Sequence, residues 1–454
     1  MSSRMLADYV VSLTYDTIPG DVQEATKRYI VDAIGNAFSG SATIYGQLAI
    51  QYAKEFGLTQ EATLIGGNGQ SSSMNTAFAN TVLGRAHTFD DTHERGIIHP
   101  GVPIIMASLA VGESSKATGK AMIVAVNAGY DVALRVAEAV CPWHYENGFH
   151  TTGTCNTFGT TAVAGKLLGL NSEQMMRALG LAGAQASGLR QYQVDGNIAV
   201  SAFHGAKAAQ NGIMSALLAK AGFPASPTIL EGQYGFCKTF SDKFDPTHLA
   251  EGLGERFKII ETGLKPYPTC RYNHGGIDAT VRLFRKHQLA AANIKSIVLR
   301  TFQAAKDECD RPHYDSVLQA IFSFQFGMAA AILCDGVVSL DALAPDRVQD
   351  PEIIQLSRKI KVVVDPELNA LYPDKWPYLV EILTNSGEVY RCRLDDLPGS
   401  LGNPLSDELL EQKFIGNVEP VLGRANAQKL IEITSRIDQL QSVRELTALL
   451  GPSG

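Results

Sequence analysis

The chain has 454 residues, 45% of them apolar and 19% charged, and a net charge of −7. That length can bury a large core, and the acidic balance argues against a nucleic-acid surface, which needs clustered Lys and Arg. None of the seven cysteines forms a C-x-x-C pair, so zinc ribbons, thioredoxin motifs and ferredoxin-type clusters lack their signatures.

The first half reads as helix after helix. Leu6, Val10, Val11 and Leu13 make one apolar face, and Val22 to Phe38 recurs at helical spacing. Met74 to Arg85, Lys120 to Val140, Thr157 to Leu168, Glu173 to Leu189 and Ala206 to Ala221 continue the pattern. Many of their residues are Gly or Ala, which lets helices approach closely. The texture changes near Phe257, where Phe257 to Thr262 reads as a strand or an extended connection. Ile294 to Phe302 and Ile360 to Asp365 are strand-like, and Tyr378 to Thr384 and Glu388 to Arg393 flank a hairpin signal at Asn385-Ser-Gly. Helices are expected at Gly276 to His287 and Ser316 to Leu333. After Pro404 the chain is helical again, at Asp407 to Phe414, Arg424 to Leu440 and Ser442 to Leu450. The expected fold is mainly α. Residues 1–264 and 396–454 form an all-α domain from both chain ends, and 265–395 form an inserted α+β domain. No signal-type N-terminus and no apolar run near ~20 residues is present. With sparse thiols, a cytoplasmic protein with no membrane partner is expected.

Several chemistries have no motif. Gly66-Gly-Asn-Gly-Gln-Ser lacks the endings of dinucleotide and P-loop fingerprints and reads as a turn. No G-x-S-x-G elbow and no H-E-x-x-H occurs. Four polar clusters stand out instead. His87 to Pro100 holds three imidazoles and the Asp90-Asp91 pair, ahead of an apolar helix. A carboxylate beside a histidine suits general-base work, and a helix start suits anions. The same Asp and His residues are also good metal ligands. The rival class is therefore a metallohydrolase using His93, His99 and the Asp pair. Gly148 to Asn156 places His150 before three threonines at a helix start. His204 to Gly212 carries Lys207 in an Ala-rich helix, where a buried ammonium needs an anion. Lys265 to Asp278 combines Lys265, Cys270, Arg271 and His274 at the composition break, where small-molecule sites are common. Two cations, a thiol and a histidine there suit a polycarboxylate.

In this order the four clusters resemble the MmgE/PrpD family. The matching elements are D-D-T-x(6)-H-P at Asp90 to Pro100, G-F-H-x-T-G-T at Gly148 to Thr154, K-x-Y-P-x-C-R-x-x-H-x-x-I-D at Lys265 to Asp278, and S-F-Q at Ser323 to Gln325. The resemblance implies a large helical domain, an α+β lid domain and a homodimer. It implies cofactor-free and metal-free chemistry on a small di- or tricarboxylate. Carried over by position, His99, His150, Asp91 and Lys207 are the candidate catalytic residues. His99 or His150 would move the proton, with Asp91 orienting its neighbour. Asp90, Thr92, Lys265, Cys270, Arg271, His274 and Gln325 are the candidate substrate-binding residues. The expected reaction is dehydration of 2-methylcitrate or another 2-alkylcitrate. Alternatives are decarboxylation of cis-aconitate and epimerisation of an amino-dicarboxylate such as iminodisuccinate. Two positions depart from the decarboxylase pattern. Phe326 stands where a tyrosine is expected, and Thr88 stands where an acid is expected.

Overall fold

The computed structural model describes residues 2–451 except 68, 335 and 337, so Asn68 of the glycine-rich turn lies outside it. Helix accounts for 59% and strand for 9%, which makes the fold mainly α with a smaller α+β part. No helix among the described residues is long and apolar enough to cross a membrane. The chain divides into two compact units, Met1–Ala86 with Asp90–Thr262 and Ser406–Gly454, and His87–Phe89 with Gly263–Leu405.

The first unit is a helical bundle. Its principal helices are α1 (Gly20–Ser41), α2 (Ile44–Phe56), α3 (Ser73–Gly84), α4 (Gly101–Ser115), α5 (Gly119–Val140), α6 (Thr151–Leu167) and α7 (Ala199–Lys220). Side-chain caps start several of them. Thr43 Oγ1 accepts from Gly46 N, Ser72 Oγ from Asn75 N, and Thr118 Oγ1 from Ala121 N. Helix α4 is apolar all round, and Val102, Ile104, Ile105, Met106 and Leu109 are almost wholly buried. Small residues set how α6 packs. A Cβ at Gly159 would lie 2.7 Å from the Gly129 carbonyl oxygen of α5, and one at Gly212 of α7 would lie 2.1 Å from Thr160 Oγ1. Larger residues at these positions would force the helices apart. The C-terminal helix Asp407–Leu422 packs on α1, with Phe414 over Gly35. The segment from Phe257, expected as a strand or an extended connection, is instead a 3-10 turn, Lys258–Glu261. Its backbone is drawn to α5 by the Asp131 carboxylate, which accepts from Lys258 N at 2.7 Å.

The second unit contains α8 (Asn273–His287), β1 (Ile294–Thr301), α9 (Phe324–Leu333), β2 (Ile360–Val364), β3 (Tyr378–Thr384) and β4 (Val389–Leu394). The sheet order is β2-β1-β3-β4, with β1 and β2 parallel and the other pairs antiparallel. Strand β3 alternates buried and half-buried residues, so Tyr378, Val380 and Ile382 face the core shared with Phe302, Phe324 and Trp376. The helix expected over Ser316 to Leu333 is broken. Val317–Ile321 ends, and α9 restarts because Ser323 Oγ accepts from Phe326 N at 3.1 Å. The unit extends to Leu405, because Gly399 O accepts from Leu264 N at 3.0 Å and Pro398 O from Arg271 Nη1 at 2.7 Å.

Candidate active site

In the first unit, a tight turn presents His99. His93 N donates to Ile98 O at 2.9 Å, and Ile98 N returns to His93 O at 3.3 Å. The main chain of His99 is then held by α6. Its N–H donates to Thr152 Oγ1 at 3.1 Å, and its carbonyl accepts from Asn156 Nδ2 at 2.9 Å. Nδ1 of the ring lies 2.8 Å from the Asp91 carbonyl oxygen and 3.0 Å from Thr92 Oγ1. A carbonyl can only accept, so Nδ1 carries the proton and Nε2 keeps the lone pair of a base. Asp91 thus meets the His99 ring through its backbone carbonyl and Thr92 through its hydroxyl.

The Asp91 carboxylate points elsewhere. Oδ1 accepts from Gly101 N at 2.8 Å at the start of α4, and Oδ2 accepts from Tyr130 Oη of α5 at 2.8 Å. The anion-favouring helix start expected after His99-Pro100 is therefore already occupied by Asp91. Burial lifts this carboxyl to about 7, with neighbouring Asp90 adding to the effect. Asp90 is fully buried and paired with Arg85. Arg85 also donates to Ser201 Oγ at 2.9 Å. The structure thus gives Asp90 a buried cation as its partner. Asp32 lies in the same region, held by Lys413 at 2.6 Å and Asn36 at 2.9 Å.

His150 precedes α6 and is 4% exposed. Its Nδ1 faces His204 Nδ1 at 3.0 Å. Burial first, then His204, Arg85, His99 and Arg190, hold His150 well below the usual imidazole range. His204 is pushed to about 4 by burial, Lys207 and Arg85. Lys207 follows one turn later on α7, and its Nζ donates to Ser187 O at 3.0 Å and to Ser187 Oγ. Burial lowers its affinity for a proton too. The segment bearing Ser187 is pinned over the histidines. His150 N donates to Gly188 O at 3.0 Å, Arg190 N donates to Gly148 O at 2.8 Å, and the Tyr192 ring stands edge-on to both imidazoles. This part of the first unit therefore collects nitrogen donors and cations, as recognition of a small polyanion requires.

The residues proposed for a metal do not converge. His93 Nδ1 accepts from Gly96 N at 3.0 Å, which places the ring proton on Nε2, toward Glu138 at 3.3 Å. Half-buried Glu261 completes with buried His93 and Glu138 a trio that could hold an ion, but Lys258 Nζ already stands 2.7 Å from Glu138 and 3.2 Å from Glu261. His99 and the Asp pair have the other partners described above.

In the second unit, Lys265 is fully buried and donates to Thr88 O at 2.7 Å. Arg271 and His274 are buried side by side, with Nη1 3.4 Å from the imidazole Nδ1. His274 Nε2 lies 3.4 Å from Thr269 O. Cys270 is half-buried, and its N–H donates to Ile321 O at 3.0 Å. Gln325 is buried and donates to Asp310 Oδ1 at 2.7 Å. Phe326 packs edge-on against Tyr314 inside the apolar core.

Sequence reasoning passed over Arg85, Tyr130, Ser187, Tyr192 and His204 as site residues. Only His204 carried a usable signal, three residues before Lys207 and so on one helical face. The others reach the histidines and aspartates through tertiary packing.

Comparison with known proteins gives these positions a context. The MmgE/PrpD N-terminal domain family matches residues 4–249, and the MmgE/PrpD C-terminal domain family matches 267–439. The cis-aconitate decarboxylase of Homo sapiens is 28% identical over 451 residues, covering 95% of this chain and 91% of that protein. That of Aspergillus terreus (strain NIH 2624 / FGSC A1156) is 25% identical over 472 residues, covering 98% and 95%. The 2-methylcitrate dehydratase of Escherichia coli (strain K12) is 25% identical over 249 residues, covering 50% and 49%. On the matches to both of its domains, the chain belongs to the MmgE/PrpD family.

Proposed function

We propose that this protein is a lyase that decarboxylates cis-aconitate or a closely related unsaturated tricarboxylate. One observation carries the choice over dehydration. The decarboxylase relatives match along nearly the whole chain, whereas the dehydratase relative matches along half of it. The geometry supports the chemistry. The C–C bond to the carboxylate on the substrate's methylene carbon breaks, and CO2 leaves. The freed electron pair forms a new C=C bond, and the old π pair moves to the carbon beside another carboxylate. That carbanion takes one proton from a protein acid. His99 and the His150–His204 pair are the groups proposed to deliver it. Lys207 and neighbouring cations offset the negative charge as it develops. For the second unit we propose carboxylate binding by Lys265, Arg271 and His274.

Dehydration of a 2-alkylcitrate is the second reading, favoured by Phe326, which has no hydroxyl to offer. Incubation with cis-aconitate and with 2-methylcitrate separates them. Release of one CO2 with conversion of cis-aconitate to an unsaturated dicarboxylate is the expected result. A gain of alkene absorbance from 2-methylcitrate, with no CO2 from either acid, would replace the first reading by the second. An inverted stereocentre with neither product would point to an epimerase. We further propose a homodimer in the cytoplasm. All seven cysteines are free thiols, and α2 exposes Ile44, Leu48, Tyr52 and Phe56 as an apolar face.

A further inference from the structure

We propose that His204 is a working partner of His150, and that the two imidazoles form a proton-sharing pair rather than one active ring and one packing residue. The inference rests on the lyase reading above for its chemistry, but its geometry stands alone. The Nδ1 atoms face each other at 3.0 Å, and both rings are buried, 4% and 8% exposed. Two like nitrogens can bond only if one donates and the other accepts. When both rings are neutral, the donating ring keeps its lone pair on Nε2. The accepting ring carries its proton on Nε2. One end of the pair is therefore a base and the other an acid.

A proton taken up at the basic Nε2 makes that ring an imidazolium. Its Nδ1 proton crosses to the facing Nδ1, and the second ring releases its own Nε2 proton. One proton enters, one leaves, and acid and base ends exchange places. No other reactant is needed. Neither Nε2 has a hydrogen-bond partner among the described residues, so both ends are available for transfer. Tyr192 stands edge-on to both rings, at 5.2 and 5.7 Å between centroids, and restrains their planes.

The surroundings bias the resting pair toward neutrality. Arg85 just after α3, His99 before α4, Arg190 beyond α6 and Lys207 on α7 are the charged or titratable groups acting on it, and each opposes a second positive charge. The Asp90 carboxylate is paired with Arg85. A bound polycarboxylate reverses this bias and favours the imidazolium when a proton must be delivered. The pair then titrates as one unit with shared apparent constants.

The test uses full-length protein labelled with 15N-histidine, with long-range 1H–15N correlation at neutral pH and His150→Gln and His204→Gln for assignment. The expected result is one ring protonated on Nδ1 and the other on Nε2, with the His150 signals changing tautomer in His204→Gln. Two rings in the same tautomer would overturn the pairing, whatever the substrate proves to be. In turnover, His204→Gln should lower kcat by about tenfold or more and shift the pH–rate profile, and imidazole should partly restore His204→Ala. A fall in folded yield with kcat and pH profile unmoved would leave His204 purely structural. A wild-type enzyme inert toward cis-aconitate would defeat the lyase reading, and the tautomer measurement would still decide the pair.

Discussion

Asp91→Asn should stabilise the protein at alkaline pH and do much less at acid pH. The carboxyl is 2% exposed and lifted from 3.8 to about 7 by burial and by Asp90. Each tenfold gain in proton affinity is worth about 1.4 kcal/mol, so the ionised form costs the folded state about 4 kcal/mol relative to the protonated one. The folded chain keeps this proton between about pH 4 and pH 7 while the unfolded chain has lost it. The stability that the protonated carboxyl gives is complete below the unfolded value and is lost as pH rises through the folded one. An amide cannot ionise. Its oxygen can still accept from Gly101 N, and its nitrogen can donate to Tyr130 Oη. The unfolding free energy of Asp91→Asn relative to wild type should thus rise by about 3 kcal/mol between pH 4.5 and pH 8. Urea melts at both values measure it. A difference that does not change with pH would refute the burial argument and the arrangement of Asp91, Gly101 and Tyr130 behind it.

Gly101→Ala should destabilise by about 1–3 kcal/mol, because its Cβ would lie 2.4 Å from Tyr130 Oη and 2.7 Å from Asp91 Oδ1. Thermal melts with the Asp91→Asn background as control test it. Lys258→Met removes the cation nearest Glu138, which is nearly fully buried, while His93 and Arg256 still face the two carboxylates; it should destabilise by less than the about 3–5 kcal/mol of a wholly uncompensated buried charge, read by urea unfolding. Prolonged chelation should leave turnover unchanged, since Lys258 holds the one carboxylate–histidine trio suited to a metal among the described residues. Leu48→Glu places a charge in the exposed apolar face of α2 and, if the proposed homodimer forms through that face, should yield a monomer in sedimentation with helix content retained.

The helical character, the strands at Ile294 and Ile360 and the Asn385-Ser-Gly hairpin were legible because period and turn chemistry are local signals. The broken helix at Ser323 was not, since its apolar run continues across a serine that caps α9. The candidate site was legible as clusters but not as partners. Asp91 looked like a carboxylate for His99, yet its carbonyl meets the ring and its carboxylate meets Tyr130. That tyrosine lies 39 positions along the chain and is adjacent only through the packing of α4 and α5. Asp90 looked available for substrate and is paired with Arg85, five residues earlier. The Lys413–Asp32 pair joins residues 381 positions apart, beyond any motif.

The most direct test of the central claim is turnover of cis-aconitate in D2O followed by 1H NMR with CO2 trapping. The account predicts one CO2 per substrate consumed and an unsaturated dicarboxylate bearing one solvent deuterium, on the carbon that received the proton. Consumption without CO2, or recovery of unchanged cis-aconitate alongside active conversion of 2-methylcitrate, would contradict it.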